Sequence, residues 1–355
     1  MHAKNILLIL TGGTICSFAN ANGEQAANTK KAQTLIVENF RKGNSPYKSE
    51  GCVRFTSVSP LNVLSENLTP AHWNVLIRAL KSYDFSQYDG IVILHGTDTL
   101  AYTASLLSLL LGGLSIPVIL VSSQLGLDNP DANGNANFRA AVELIVNGIA
   151  PNVYAVYRNE ENGGKETNRT LYLHYGAHLL QCANRSDSFY SADMTAIDPE
   201  NASCAGVAAK PDKPLLFDSR FDGLCAKVLK IQPYVGLDYS SFSLNGVDAV
   251  VHGCYHSCTV ATDTALTKTD GKDFSILQFL ARCQAQIPPV PLFLEPYEKT
   301  TYETTGDALR SGILPIRGLT SEMAYVKTLV GCSMGFCGAE LYAFIESDLN
   351  REHLG

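Results

Sequence analysis

The chain has 355 residues, of which 46% are hydrophobic and 17% are charged. This length exceeds the usual size of one domain, and the composition is that of a globular chain. The sequence therefore predicts two domains and excludes disorder as the main state. The formal net charge of -7 gives no attraction to nucleic acid or to an anionic membrane surface. We expect a small-molecule partner, with no nucleic-acid or membrane partner.

Two apolar segments are candidates for targeting or membrane signals. Residues 6–10 are too short for the apolar region of a signal peptide and are typical of a buried strand. Residues 106–120 are interrupted by glycine, serine and proline and are too short to span a membrane. The ten cysteines include no CxxC pair. We therefore expect a cytoplasmic protein with reduced thiols.

Strand-like and helix-like segments alternate along the first part of the chain. Predicted strands cover residues 5–10, 90–94 and 117–121, and predicted helices begin at Thr69-Pro70 and cover residues 99–111 and 136–146. Such an order is typical of a parallel sheet with helices on both faces. The predicted fold is α/β, with a larger doubly wound, flavodoxin-like N-terminal domain and a smaller C-terminal α/β domain.

A change in composition separates the two predicted domains. Residues 197–223 lose the periodic pattern and are rich in proline, lysine, alanine and aspartate. We predict a first domain over residues 1–205, a linker over residues 206–223 and a second domain over residues 224–355. In the second domain we expect strands near residues 228–232, 249–252 and 291–295, with helices near residues 275–285 and 321–330.

Two predicted strands end in Gly-Thr sequences. Thr14 follows Gly12 and Gly13 after the first strand, and Thr97 and Asp98 follow Gly96 after the strand at residues 90–94. Because ligands of open parallel sheets bind at the carboxyl ends of strands, these loops are the candidate site. The structural alternatives are an ordinary strand-to-helix turn at Thr14 and capping of the next helix by Thr97 or Asp98. The G-x-G-x-x-G spacing of dinucleotide sites is absent, which disfavours a nucleotide-binding oxidoreductase.

These two sequences, TGGTI at residues 11–15 and DGIVILHGTDTLAYTA at residues 89–104, resemble the paired signatures of the asparaginase/glutaminase family. The resemblance extends through PVI at residues 117–119, SSQ at residues 122–124 and the Asn133-Gly134 loop, and it returns near residues 305–327. The sequence LTPxxW at residues 68–73 makes the chain more similar to the cytoplasmic type I branch than to the secreted one.

The resemblance implies roles for individual residues. Thr14 would be the nucleophile that forms an acyl-enzyme, Thr97 the second threonine of the site and Asp98 the partner of the substrate ammonium. Ser65 and Glu66 would meet the α-carboxylate. A threonine hydroxyl needs a positioned base and an oxyanion stabiliser to act as a nucleophile. The substrate-binding set that the resemblance implies is completed by Gly13, Gly96, Ser123 and Gln181, and neither a metal nor an organic cofactor is implied.

The chain departs from the family pattern at the basic residue. The family places a lysine five positions after a glycine, and alignment brings Gln181 onto that position, five residues after Gly176. No lysine occurs between Lys165 and Lys210. A carboxamide can orient a threonine but cannot take its proton. Lys165 could substitute, although a solvated loop lysine is the simpler interpretation.

Two further departures concern substrate recognition. Residues 16–34 lack the tyrosine with which the family commonly closes over its substrate. In the second domain, His252, Cys254, His256 and Cys258 alternate where the family has a loop of glycine and asparagine. One strand cannot wrap a tetrahedral zinc site, so the sequence favours a buried cluster of thiols and imidazoles over a metal site. A nucleophilic pair of Cys258 and His256 is the other possibility.

The predicted function is hydrolysis of the side-chain amide of asparagine, or of a related and larger or N-substituted amino-acid amide, through a threonine acyl-enzyme. The alternative is a ligand-binding or weakly active protein with an asparaginase fold, because Gln181 stands where the lysine is expected. The resemblance also implies a homodimer or homotetramer.

Overall fold

A computed structural model describes residues 2–160, 170–198, 206, 214–264, 272–297 and 302–354. The chain forms two compact units: Met1–Ser219 with Leu349–Arg351, and Arg220–Asp348 with Glu352–Gly355. Residues 207–213 of the predicted linker lie outside the described residues, as does Lys165.

The first unit contains eleven strands and four helices in its described residues. The strands are β1 (Lys4–Leu10), β2 (Ser17–Ala19), β3 (Gln25–Ala27), β4 (Val53–Val58), β5 (Gly90–Leu94), β6 (Val118–Val121), β7 (Val153–Arg158), β8 (Leu171–Tyr175), β9 (Leu179–Leu180), β10 (Tyr190–Ser191) and β11 (Thr195–Ala196). The helices are α1 (Thr29–Lys42), α2 (Pro70–Lys81), α3 (Leu100–Leu111) and α4 (Gly134–Val146).

The main sheet of this unit has the strand order β11-β8-β7-β6-β5-β1-β4. The five neighbouring strands β7, β6, β5, β1 and β4 are parallel to one another. Strands β8 and β11 add an antiparallel edge, which the sequence pattern did not predict. Taken in chain order, the parallel strands have the order 2-1-3-4-5 that is typical of flavodoxin-like folds. The α/β fold predicted from the sequence is therefore confirmed.

Burial explains why the central strands are continuous apolar runs. Every residue of β5 and β6 is buried, as expected for strands that are covered on both faces. Helix α3 is apolar around most of its circumference and is buried at eleven of its twelve residues. Helix α4 packs against β5, β6 and β7. These contacts hold the carboxyl ends of the strands in fixed positions.

The second unit is a smaller α/β structure, as predicted. Its strands are β12 (Val228–Ile231), β13 (Ala249–Gly253), β14 (Leu292–Tyr297) and β15 (Leu314–Arg317), and its helices are α5 (Ile276–Gln284), α6 (Glu303–Arg310), α7 (Ser321–Ser333) and α8 (Gly338–Glu346). The four strands form one parallel sheet in chain order. Ion pairing extends into its interior, where Lys327 and Glu352 are completely buried against each other.

Two global features can be stated for the described part of the chain. None of its helices is long and apolar enough to cross a membrane. Nine cysteines fall within it, and all nine are free of disulfide bonds.

Candidate active site

The candidate site lies at the carboxyl ends of β1 and β5, which are neighbours in the sheet. Leu10 is in register with Leu94, and the backbone N–H and the hydroxyl of Thr11 both donate to the Leu94 carbonyl, at 3.1 and 2.9 Å. The strand order reverses between β1 and β5, so connections on the two sides diverge and leave a crevice there. Both Gly-Thr sequences thus end at the position where a flavodoxin-like sheet binds its ligands.

Glycine is required where the two loops meet. A Cβ atom on Gly13 would lie 2.1 Å from Gly96 Cα, and one on Gly96 would lie 2.3 Å from Ser65 Oγ. Gly13 also has a φ of 75°, which side chains rarely adopt. The backbones of the Gly13 and Gly96 loops therefore touch directly, and the Ser65 side chain packs against Gly96. This contact brings together Gly13, Gly96 and Ser65, three of the residues that the sequence analysis assigned to the candidate site.

Thr14 follows this contact and begins a 3₁₀ turn, Thr14–Cys16. Its side chain is half-buried, and its hydroxyl makes no hydrogen bond within the described residues. The turn is held by the Ser17 hydroxyl, which donates to the Gly13 carbonyl at 2.8 Å. A hydroxyl that is fixed in position and has no partner in the described part of the chain is available to a substrate.

Ser65 and Asp98 are joined directly. The Ser65 hydroxyl donates to Asp98 Oδ2 at 2.9 Å, and the Asp98 N–H lies 3.3 Å from Ser65 Oγ. The Thr99 hydroxyl donates to the Ser65 carbonyl at 3.1 Å. Ser65 is buried, whereas Asp98 and Glu66 are exposed. The pair presents a carboxylate to solvent beside the two glycines.

The capping interpretation of Thr97 and Asp98 is wrong. Residues Thr97–Thr99 form their own 3₁₀ turn, and α3 begins after Thr99 without a side-chain cap. The Gln181 side chain takes over part of that task, because its Oε1 accepts from the Ala101 N–H at 3.3 Å. Thr69 likewise lies at the N-cap position of α2 without capping it, since its hydroxyl is paired with the ring of His72 at 2.9 Å.

Gln181 is hydrogen-bonded to the Thr97 loop. Its Nε2 donates to the Thr97 carbonyl at 2.8 Å and to Cys182 Sγ at 3.3 Å. Burial raises the pKa of the Cys182 thiol, with the Gln181 contact opposing that shift. Gln181 is thus held next to the loop that contains Thr97 and Asp98. The sequence analysis assigned all three residues to one candidate site.

A chain of buried hydrogen bonds ends at the carbonyl of Gly96 and fixes the turn there. Trp73 Nε1 donates to the Thr103 hydroxyl at 3.0 Å, and that hydroxyl is 2.9 Å from His95 Nε2. His95 Nδ1 is 2.9 Å from the Gly96 carbonyl. A carbonyl can only accept, so Nδ1 carries the proton and Nε2 accepts from Thr103. Burial lowers the pKa of His95 to about 4 against the opposing effect of that carbonyl, which keeps the ring neutral.

Ser123 is part of the framework of the site. It is buried, its hydroxyl donates to the Leu125 carbonyl at 2.6 Å, and its oxygen accepts from the Gly134 N–H at 3.0 Å. The hydroxyl therefore fixes the loop that precedes α4, and its two hydrogen bonds are made within the protein.

A cavity of about 380 Å³ opens next to Thr97 and Asp98. Gln181, Cys182 and the buried Tyr157 are among the residues that line it. Among the described residues, no lysine lines this cavity. No sequence signal pointed to Tyr157, which lies on an apolar strand, or to the role of Cys182. Trp73 and His95 could have been singled out, because both lie inside the family motifs.

The loop of alternating histidines and cysteines does not form a metal site. No group of His, Cys, Asp and Glu side chains in the described residues could hold a metal ion. His252 is buried, with Nε2 at 2.9 Å from the Tyr239 hydroxyl and Nδ1 at 2.6 Å from the Gly253 carbonyl. After Gly253 the chain turns, and His256 is exposed. The alternation therefore ends with the strand.

The fold is that of an α/β protein with a flavodoxin-like sheet, and its candidate ligand site lies at the topological switch point, next to two threonines and a carboxylate. The family model described as "Asparaginase, N-terminal" matches residues 5–211, and the chain belongs to the asparaginase family. An L-asparaginase of Thermococcus kodakarensis is 26% identical over 330 residues, which cover 91% of each chain.

Other relatives carry the name of a different enzyme. A Glutamyl-tRNA(Gln) amidotransferase subunit of Methanococcus maripaludis is also 26% identical, over 337 residues that cover 92% of this chain and 75% of the relative. Among solved structures, the thermostable L-asparaginase of Thermococcus kodakarensis and L-asparaginase I of Vibrio cholerae both superpose with a TM-score of 0.70 over 99% of each chain, at 23% and 22% identity. These two structures show that the fold is shared.

Proposed function

We propose that this protein hydrolyses the side-chain amide of asparagine, or of a related amino-acid amide, through an acyl-enzyme on Thr14. The observation that carries the proposal is the direct contact of Gly13 with Gly96, the residues that immediately precede Thr14 and Thr97 in the chain. Membership of the asparaginase family supports the reaction class.

In the proposed reaction the Thr14 hydroxyl attacks the amide carbonyl and forms a tetrahedral oxyanion. Collapse of that intermediate breaks the C–N bond, and the nitrogen leaves as ammonia or an amine after gaining the proton that the Thr14 hydroxyl lost. Water then attacks the threonine ester, which releases the carboxylate product and restores the hydroxyl. Asp98 pairs with the substrate ammonium, and Ser65, with Glu66 beside it, receives the α-carboxylate. Thr97 and the backbone around Gly96 orient the reacting group.

The weak step is removal of the proton from Thr14. Gln181 offers hydrogen bonds but no titratable group, so it positions and does not act as a base. A site without its base is slower by about 10²–10⁴-fold. The second candidate function follows from this observation: a protein that binds amino-acid ligands in the same site with little turnover.

The relatives named as amidotransferase subunits suggest a third role, in which the chain acts with partner proteins on an aminoacyl-tRNA. The net charge of -7 makes tRNA binding by this chain alone unfavourable. We therefore favour a free small-molecule amide as substrate. The cytoplasmic location and the homodimer or homotetramer also stay predictions, and a mass measurement in solution tests the latter.

The test is a hydrolysis assay with asparagine, glutamine and side-chain N-substituted asparagines, in which release of the free amino-acid product is measured. Thr14→Ala should abolish turnover, whereas Thr34→Ala, at an exposed position of α1, should leave it unchanged. Full activity in Thr14→Ala would refute the assignment of the nucleophile. Binding of aspartate without any turnover in the wild type would favour the ligand-binding alternative.

A further inference from the structure

The cavity beside Thr97 and Asp98 is much larger than an ammonia leaving group requires. Its volume is about 380 Å³, whereas about 10–15 Å³ of such space is enough for one water molecule. We propose that it holds the leaving amine of an N-substituted amide, so that the preferred substrate is a secondary amide with a neutral, hydroxyl-bearing amine. This inference rests on the proposed amidohydrolase function and specifies its substrate.

The position of the cavity identifies the part of the substrate that enters it. Ser65 meets Asp98 from the side of the glycine contact, where the α-carboxylate is expected. Gln181 binds the Thr97 carbonyl and leads into the segment of residues 182–187 that lines the cavity. In a trans secondary amide the carbon attached to the carbonyl and the substituent on the nitrogen lie on opposite sides of the C–N bond. A substrate held at Ser65 and Asp98 would therefore direct its nitrogen substituent into the cavity.

The chemistry of the lining argues against a charged leaving group. With Asp98 paired to the substrate ammonium, Asp187 and Arg185 are the charged side chains left in the lining, and their charges cancel. An amine that carries its own carboxylate would then gain one favourable and one unfavourable partner, with no net attraction to offset the loss of its hydration. Hydroxyl groups suit this lining better. A hydroxyl can donate to a carboxylate, and it can both donate to and accept from the carboxamide of Asn184.

Tyr157 supplies an independent observation. Its side chain is 1% exposed, and its hydroxyl makes no hydrogen bond within the described residues. The neighbouring Asn133 is committed to the Arg158 carbonyl and the Gln124 N–H. Burial raises the pKa of Tyr157 against the opposing effect of the nearby Asn133 side chain, so the hydroxyl keeps its proton. A buried hydroxyl without a partner is rare in native proteins and is expected to have one in the functional state.

The ring of Tyr157 forms an apolar part of the cavity lining. It packs edge-to-face against Phe189, with the ring centroids 4.8 Å apart, and both residues line the cavity. The cavity thus combines an aromatic surface with polar groups at its rim. This combination suits an amine that has an apolar carbon face and several hydroxyls, such as an amino sugar, better than it suits bulk water.

The proposal predicts an order of substrates in a single assay. Release of aspartate should be measured from asparagine, from side-chain N-hydroxyethyl-asparagine, from a glycosylasparagine and from β-aspartylglycine, whose leaving amine carries a carboxylate. In every case the step breaks the same C–N bond and water supplies the hydroxyl of the product. We expect kcat/KM for a hydroxylated amide to exceed that for asparagine by about tenfold or more, because pocket contacts of this size discriminate by about 10–200-fold.

Two variants test whether the cavity causes the preference for hydroxylated amides over asparagine. Ala183 is exposed and lines the cavity, so Ala183→Leu should lower the ratio of kcat/KM for the hydroxylated amide to that for asparagine. Ala71→Leu, at an exposed position of α2, is the matched control and should not change that ratio. Tyr157→Phe should also lower the ratio while leaving the unfolding midpoint unchanged or higher, since it removes an unpaired buried hydroxyl.

The outcomes separate this inference from the proposed function. The cavity assignment is overturned if kcat/KM for asparagine equals that for the substituted amides, or if Ala183→Leu slows both classes of substrate by the same factor. The amidohydrolase proposal stands in either case. A preference for β-aspartylglycine would overturn the choice of a neutral amine. Failure of the wild type to release aspartate from any of the four compounds would overturn both.

Discussion

The side-chain Nε2 of Gln181 donates a hydrogen bond to the carbonyl of Thr97 at 2.8 Å. Its oxygen also accepts from the first turn of α3 through the Ala101 N–H, at 3.3 Å. One carboxamide therefore serves both a donor and an acceptor of the backbone beside the proposed catalytic residues. A lysine at this position could serve only the acceptor. The glutamine is thus well fitted to a structural role and poorly fitted to proton transfer.

We predict that Gln181→Lys increases the turnover of asparagine. The gain should approach the roughly 10²–10⁴-fold that general acid–base assistance contributes, provided that the lysine is neutral when it acts. The amino end of α3 favours that state, because a helix N-terminus disfavours a nearby positive charge. The measurement is kcat for asparagine over a range of pH, which should rise with pH as the lysine loses its proton.

Gln181→Met is the control for this substitution. Methionine fills similar space with neither hydrogen bonds nor a titratable group, so it reports the loss of the glutamine alone. A wild-type enzyme that is already fast on asparagine would show that Gln181 does not occupy the position of the base. A folded Gln181→Lys protein no faster than Gln181→Met would show that lysine cannot act there.

A second prediction concerns the contact of Gly96 with Ser65. In Gly96→Ala the new methyl group would lie 2.4 Å from Ser65 Cβ and 2.8 Å from Gly13 Cα, so the loops must separate. Overpacking of this kind typically costs about 1–3 kcal/mol, and a displacement of about 1 Å near the chemistry can reduce activity by about 10²-fold. Activity and the midpoint of chemical unfolding measure the two effects.

Gly51→Ala is the matched control for this change. Gly51 is exposed, and the nearest atom to an added Cβ is Ser49 Oγ at 3.8 Å, which is ordinary contact. We expect this variant to keep both activity and stability. Wild-type activity in Gly96→Ala would mean that the three-loop contact does not position the site.

The position of the candidate site could be predicted from the sequence for a physical reason. Apolar strands of a parallel sheet are recognisable as runs, and their carboxyl ends lie at one edge of the sheet. Thr14 and Asp98 can therefore be grouped into one site from the sequence alone. Gly13 and Gly96 join the same group, although their direct backbone contact is a three-dimensional fact that no pattern encodes.

Contacts made by residues with no local signature could not be predicted from the sequence. Tyr157 lies on a strand whose pattern indicates only burial, so nothing in it reveals an unpaired hydroxyl. The capping interpretation of Thr97 was wrong because Gln181, far along the chain, satisfies the N–H of Ala101 instead. The antiparallel strands β8 and β11 were missed for the same reason, since pairing direction is decided by tertiary contacts.

The third prediction concerns the hydrogen-bond chain through Thr103. Thr103→Val keeps the shape of the side chain but leaves Trp73 Nε1 without an acceptor and His95 Nε2 without a donor. Each buried polar group left without a partner costs about 1–3 kcal/mol. We expect a lower unfolding midpoint together with reduced activity, because His95 fixes the Gly96 carbonyl.

Thr328→Val is the control for this third prediction. Thr328 is equally buried in a helix, but its hydroxyl donates only to the Ala324 carbonyl of its own helix. That carbonyl keeps its helical partner, so the loss of the hydroxyl should be small. Equal destabilisation by the two substitutions would show that the chain from Trp73 to His95 adds nothing beyond side-chain packing.

The last prediction concerns the pH dependence of stability and His174. This side chain is completely buried, with Nδ1 at 3.0 Å from the Ser191 hydroxyl and no hydrogen bond at Nε2 within the described residues. Burial lowers its pKa from 6.5 to about 4, and Asp193 opposes that shift. Between these two values the unfolded chain binds a proton that the folded chain does not. His174 therefore contributes stability above pH 6.5 that is lost progressively as the pH falls toward 4.

The loss should amount to about 2 kcal/mol by about pH 5, from the difference in proton binding between the two states. We predict that His174→Gln, which does not titrate, has an unfolding midpoint that falls less between about pH 7.5 and about pH 5 than that of the wild type. Part of the decline should persist, because burial also lowers the pKa of His95 to about 4. His2→Gln, at an exposed position, is the control and should follow the wild type. Parallel declines in His174→Gln and the wild type would mean that His174 does not stay neutral in the folded protein over this range.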